Sequence, residues 1–334
     1  MRKHIAKTLL LSLPLLCAGI LPATANAQGS DALPPTISAQ EIDDMFNALS
    51  NWGRWGDDDQ RGTLNLITPE KRRQAASLVR EGISVSLSKN YSTEEAVDNV
   101  SPMQVIMTIP PAAPVAMDEW RIFYHGLTYT HMDAMCHAYY KDQAYNGFPV
   151  TDVTEEGCST SGIEHLKEGV LSRGILIDVP RLKGVDYLEP GTPVLASDIE
   201  AWERETGLRI EPGDVVLVRT GRWAKKTDIG PYSLMSGSPG VHVSALPLLK
   251  ERDAAVLGTD VGLDVSPSDV DPSVVIPTHT MAIASMGLII IDNASFEELA
   301  ETAARLNRWE FMFQLSPIPV EGGTGSIINP IATF

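Results

Sequence analysis

The stretch HGLTYTHMDAMCH, His125 to His137, holds three of the chain's seven histidines together with an aspartate. Imidazole nitrogen and carboxylate oxygen are natural ligands for zinc or manganese, and cysteine is not required. No Cys-x-x-Cys pair occurs, so a thiolate zinc site is excluded. His131 and Asp133 are two apart, which puts both side chains on one face of a strand and on nearly opposite faces of a helix. If they share an ion, their backbone is extended. Asp133 and His137 are four apart, and DAMCH suits the opening of a helix, so the ligands are expected where a strand end turns into a helix. His125 has the parity of His131 and Asp133, yet six extended residues span roughly 20 Å. For His125 to share the ion the chain must bend, and Gly126 is the residue that would allow it.

A distant segment, IPTHTMAIASMGLIIIDNASFEELA, carries His279 and then an apolar strand ending in Asp292. Burying an unpaired carboxylate costs several kcal/mol. Asp292 therefore is exposed, caps the following helix in competition with Asn293 and Ser295, or pairs with a cation. Asp260 and Asp264, in GTDVGLDVSPSD, either orient ligand histidines or hold turns. Other motifs fail on chemistry. DDDQRG from Asp57 mimics a calcium loop, but Arg61 stands where an oxygen ligand belongs and Thr68 replaces the final Glu. EGGTGS lacks a P-loop lysine and reads as a tight turn, and no G-x-S-x-G elbow exists.

The elements that must position these residues follow from pattern. Ser38 with Glu41 makes a capping box, and Thr68 with Pro69 opens a helix expected to run to Gly82. ISVSLS, GILIDVP, DVVLVRTG, AAVLGTDV and MGLIIIDNA read as strands; LASDIEAWERETG and SFEELAETAARLNRW read as helices. Strands and helices mix without strict alternation. The predicted organisation is a signal peptide over 1–27, a loose arm over 28–40 and a single domain over 41–334. The signal reading rests on Arg2, Lys3 and Lys7, an apolar run too short for a membrane span, and the small residues ATANA before Gln28. Export to the periplasm or beyond follows, and leaves Cys136 and Cys158 as either a disulfide or two buried thiols. At 43% hydrophobic and 21% charged, the composition is that of a globular chain. The formal charge of −17 disfavours nucleic acid and anionic membrane as partners.

These residues resemble the metal-dependent cyclase family, which includes bacterial kynurenine formamidase and isatin hydrolase. THMDAMCH looks like the family's His-x-Gly-Thr-His-x-Asp-x-x-x-His signature. WGDDDQRGTLNLITPEK, YNGFP, GDVVLVRTGRW, SALPLLKERDAAVLGTDVGLDVSPSD, His279 to Asn293, and GGTGSIINPIA extend the similarity from about Trp52 to Ala332. It is closest to the longer branch of the family, of roughly 300 residues. The resemblance implies an α/β chain with the swivelling β/β/α fold, a mixed sheet core with flanking helices. It also implies a homo-oligomeric hydrolase, dimer or tetramer, with one or two divalent ions, zinc or manganese. His131 and Asp133 match metal ligands, His137 the catalytic histidine, and His279 and Asp292 the distal His and Glu of binuclear members. Two departures stand out: Leu127 occupies a ligand position, which His125 would have to fill, and Asp292 is shorter than Glu.

The implied reaction is cleavage of a small amide, lactam, lactone or formamide by water activated at the ion, with His137 as acid and base. Trp52, Trp55 and Phe148, with Tyr139 and Tyr140, either line an aromatic substrate pocket or pack in the core. The rival readings are an exported metal or small-molecule binder without turnover, and a lyase or dehydratase on the same site.

Overall fold

The four most apolar strand patterns lie side by side in the middle of one sheet. The structure is a computed structural model, and it describes residues 37–334. The signal peptide and most of the arm lie outside the described residues. The sheet has nine strands: β1 (Ser84–Ser86), β2 (His131–Asp133), β3 (Val170–Asp178), β4 (Val215–Arg219), β5 (Val256–Thr259), β6 (Ile289–Asp292), β7 (Glu310–Leu315), β8 (Gly325–Ile327) and β9 (Ile331–Thr333). Their spatial order is β1-β9-β7-β3-β4-β5-β6-β2-β8. β3, β4, β5 and β6 run parallel; every other pairing is antiparallel. Parallel strands covered on both faces read as continuous apolar runs, and VVLV of β4 and III of β6 are almost wholly buried.

The sheet is mixed, as expected, with a parallel core inside antiparallel flanks. Helices join its strands, Ala196–Thr206 between β3 and β4, and Arg222–Ile229 and Leu246–Glu251 between β4 and β5. β5 returns to β6 through the helical turn Pro277–Thr280 and the π-helix Met281–Ser285. Only the flanking strands break the alternation. Trp202 locks the helix Ala196–Thr206 to the sheet, its Nε1 donating to the Leu176 carbonyl at 2.8 Å.

Ser38 and Glu41 close the expected capping box on the helix Ala39–Leu49, so helix begins before residue 41. The helix capped by Thr68 ends at Ala76, short of Gly82, where the Ser77 hydroxyl donates to the Gln74 carbonyl. DAMCH forms a turn and not a helix, with the His137 amide donating to the Ala134 carbonyl. Cys136 and Cys158 are joined in a disulfide, which resolves the alternative left open. No described helix is long and apolar enough to cross a membrane.

Candidate metal centre

The site begins at the carboxyl end of β6, where the parallel run meets its first antiparallel neighbour. Ligands commonly gather at the carboxyl ends of parallel strands. β2 lies between β6 and β8, with His131 opposite Asp292 and Asp133 opposite Gly325. Strand parity turns His131 and Asp133 to one face, while Met132 points to the other and is fully buried. His131, Asp133 and Asp292 are all buried, and one ligand atom from each falls within 4.8 Å of the others.

His131 Nδ1 faces the Tyr129 carbonyl at 2.8 Å. A carbonyl only accepts, so Nδ1 carries the proton and Nε2 keeps its lone pair, 3.5 Å from Asp133 Oδ1. His279 comes from the helical turn Pro277–Thr280. Asp264 accepts from the Thr278 and His279 amides and from His279 Nδ1 at 2.5 Å. His279 Nε2 is thereby aimed at Asp292 Oδ2, 3.1 Å away, and lies 3.8 Å from Asp133 Oδ2. Of the two aspartates left open by sequence, Asp264 orients a histidine and Asp260 holds a turn. Asp260 accepts from Thr220 N and Oγ1 and from the Gly221 and Arg222 amides. Asp292 makes no cap for the helix Glu297–Leu306, whose N-terminus has no side-chain cap.

A second set shares Asp133. His125, Asp133 and His137 also bring ligand atoms within 4.8 Å. His125 Nδ1 stands 3.4 Å from Asp133 Oδ1, and its Nε2 meets Thr324 Oγ1 at 2.8 Å. The bend between His125 and His131 occurs with Gly126 at φ +126°, a conformation that L side chains rarely adopt. The rings of His125 and His137 stack at 4.2 Å and 7°, and His137 Nε2 is 3.9 Å from Asp133 Oδ2. Gly325 is needed opposite: a Cβ there would lie 2.6 Å from the Met132 carbonyl oxygen and 3.0 Å from the His125 ring.

The electrostatics centre on Asp133. Burial alone would raise its pKa, but His137, His125, His131 and His279 together hold it well below the carboxylate range. Burial lowers the His137 pKa, with Asp133 opposing. His279 is pushed up despite burial, by Asp292 and Asp264. Both oxygens of Asp133, Oδ1 of Asp292 and Nδ1 of His125 are buried without a hydrogen-bond partner. Such orphaned atoms are costly unless something binds them. Imidazole nitrogens and carboxylate oxygens converging on them fit a divalent ion, and Asp133 is placed to serve both sets.

The sequence leaves Trp52, Trp55 and Phe148 open between a substrate pocket and core packing. Trp52 packs edge-on to Phe46 at 5.5 Å with Nε1 bonded to the Ala284 carbonyl, and Trp55 carries the Arg54 guanidinium at 4.8 Å. Neither they nor Phe148 line the cavity that touches His125. That cavity, about 240 Å3, is walled by Phe123, Leu127, Leu234 and Met235, with Asp98 and Arg222. Sequence reading missed Thr324, whose only local signal is the GGTGS turn, and Arg222, whose signal is a second arginine in VRTGRW.

Comparison with known proteins accords with this geometry. The family model described as putative cyclase matches residues 64–265. A crystal structure of a novel cyclase superposes with a TM-score of 0.77 at 30% identity, covering 86% of this chain and 100% of the other. Isatin hydrolase A of Labrenzia aggregata, bound to benzyl benzoate, gives a TM-score of 0.53 at 18% identity, with coverage of 77% and 94%. Isatin hydrolase A of Ralstonia solanacearum gives 0.53 at 18%, with coverage of 78% and 93%. At that identity the likeness is one of fold. No curated protein matches the chain.

Proposed function

The chain belongs to the putative cyclase family, and from that premise we propose that it is a metal-dependent hydrolase of a small amide, lactam, lactone or formamide. One observation carries this reading. Asp133 presents two buried carboxylate oxygens with no hydrogen-bond partner to a ring of four histidines and Asp292. That donor set suits zinc or manganese.

His131, Asp133, Asp292 and His279 would hold one ion; His125 with Asp133 would hold a second or complete the first. When bound, the ion supplies Lewis acidity and lowers the pKa of a water toward 7. The chain supplies the rest. Asp264 and the Tyr129 carbonyl hold the His279 and His131 rings so that both Nε2 atoms face the carboxylates. His137, kept neutral by its burial, takes a proton at Nε2 from the attacking water and returns it to the departing nitrogen or oxygen. The cavity beside His125 excludes bulk water from one side of the site and seats the substrate's apolar part.

Export to an oxidising compartment is part of this reading, supported by the Cys136–Cys158 disulfide. So is a homo-oligomer. The hairpin Gln104–Thr108 with Met117–Arg121 is exposed throughout, with Val105, Met107 and Trp120 on one face. An isolated two-stranded hairpin is marginally stable in water. A second copy of this chain would give it a partner.

The test is metal analysis of purified protein, then a panel of formamides, lactams and lactones assayed with and without chelator. Chelator-sensitive turnover is expected, with a ring-opened product heavier by one water from a lactam or lactone, and two products whose masses sum to substrate plus one water from a formamide. Products that gain no water in total, or a product lighter by one water, make it a lyase or dehydratase, and bound metal without turnover of any member overturns the hydrolase.

A further inference from the structure

Arg222 is a buried cation with no carboxylate in direct contact; Asp260, Asp98 and Asp292 act on it only from beyond ion-pair distance, and burial outweighs them. Its residue is 3% exposed. The guanidinium donates to Asn293 Oδ1 at 2.6 Å and to the Leu127 carbonyl at 2.5 Å, two groups that carry no net charge. Among the described residues no carboxylate pairs with it. Its face lies 4.4 Å from the centroid of the Trp223 ring. Burying an unpaired charge is expensive, and a neutral donor would suffice to tie Leu127 to Asn293.

The position gives the charge a use. Arg222 lines the cavity of about 240 Å3 that touches His125, and also an adjoining cavity of about 590 Å3. Asp98 and Thr128 are shared by the two linings. Asp98 is the one acid in either lining, and its Oδ2 is taken by Lys226 at 2.5 Å. Its Oδ1 is buried without a partner. The remaining wall toward His125 is largely apolar, including Val100, Phe123, Leu127 and Met235.

We infer that Arg222 is a specificity-determining residue that binds an anionic oxygen of the substrate, most simply a carboxylate, at the end of the cavity away from the reacting carbonyl. The substrate class is then a small, mostly apolar amide or ester bearing one negative charge. The guanidinium acts as a fork for the two carboxylate oxygens, a geometry that lysine does not reproduce. This inference rests on the hydrolase reading for the identity of the ligand as substrate, but not for the binding of the anion.

The test uses two ketones that cannot be hydrolysed, acetophenone and 4-acetylbenzoate, titrated calorimetrically into the metal-loaded protein. The wild type is expected to bind the carboxylate-bearing ketone about tenfold to a hundredfold more tightly. Arg222→Met is expected to lose that preference at unchanged metal content, and Arg222→Lys to keep a fraction of it. Asp98→Asn, which leaves the Asn293 and Leu127 bonds untouched, is expected to tighten 4-acetylbenzoate severalfold and leave acetophenone as it was. Equal binding of the two ketones by the wild type overturns the inference. So does a preference that survives Arg222→Met, which would place the carboxylate on the ion, or an Asp98→Asn variant that does not bind the anion more tightly. A protein that keeps the Arg222-dependent preference but turns over no amide or ester overturns the hydrolase and leaves the anion site standing.

Discussion

Asp133 combines deep burial, no hydrogen bond and four histidine neighbours, and each property has a measurable consequence. Asp133→Asn keeps the shape and removes the charge. The wild type should gain about 4 kcal/mol of stability at a thousandfold excess of zinc or manganese over Kd. Thermal melts of the Asn variant should show no such gain, while its metal-free form melts near the metal-free wild type. His137→Gln should separate from it, retaining metal by elemental analysis while kcat falls by about 10²- to 10⁴-fold. The His131–Asp133 pair was legible in the sequence because strand parity allows one arrangement on extended chain. The approach of His125 was legible only as a condition on Gly126. Arg222 was not, because its partners are residues 127 and 293, neither adjacent in sequence, and the nearby acid Asp98 is taken by Lys226.

At the scale of elements, two cross-links hold the platform. The disulfide closes a loop from Cys136 to Cys158 that begins one residue before His137. Cys158→Ser should cost about 3 kcal/mol in urea melts by loop entropy, and dithiothreitol should cost the wild type the same. At the amino end of β4, Asp214 is fully buried and pairs with Arg173 at 2.8 Å and with Lys71. Asp214→Asn leaves Arg173 to Glu310 and Glu211 and Lys71 to Glu211 alone, and should destabilise the fold by up to about 3 kcal/mol without altering metal affinity. Most strands were legible, since β3 to β6 are apolar runs of strand length. The helix after Pro69 was overextended because REG looks like a C-terminus, whereas the Ser77 hydroxyl ends it earlier. DAMCH has helical spacing, but its segment is tied by the disulfide and by the Cys136 amide to the Ser161 carbonyl, and it turns instead.

For the whole molecule, the exposed hairpin sets the expectation. Light scattering should give a mass of two or four chains, and Trp120→Glu with Met107→Glu should lower it while leaving metal content intact. A wild type that is monomeric at micromolar concentration would end that part of the reading. The order of strands was not legible, because pairing β2 between β6 and β8 depends on contacts more than 150 residues apart. That order also divides the labour of the site. Its floor is β2, β6 and the turn holding His279, and its walls beside His125 are loops near residues 98, 123 and 235. A change in those loops can therefore alter what the cavity admits while β2, β6 and the His279 turn stay as they are. Grafting the 97–101 and 233–235 segments between family members is a direct route to new substrate ranges.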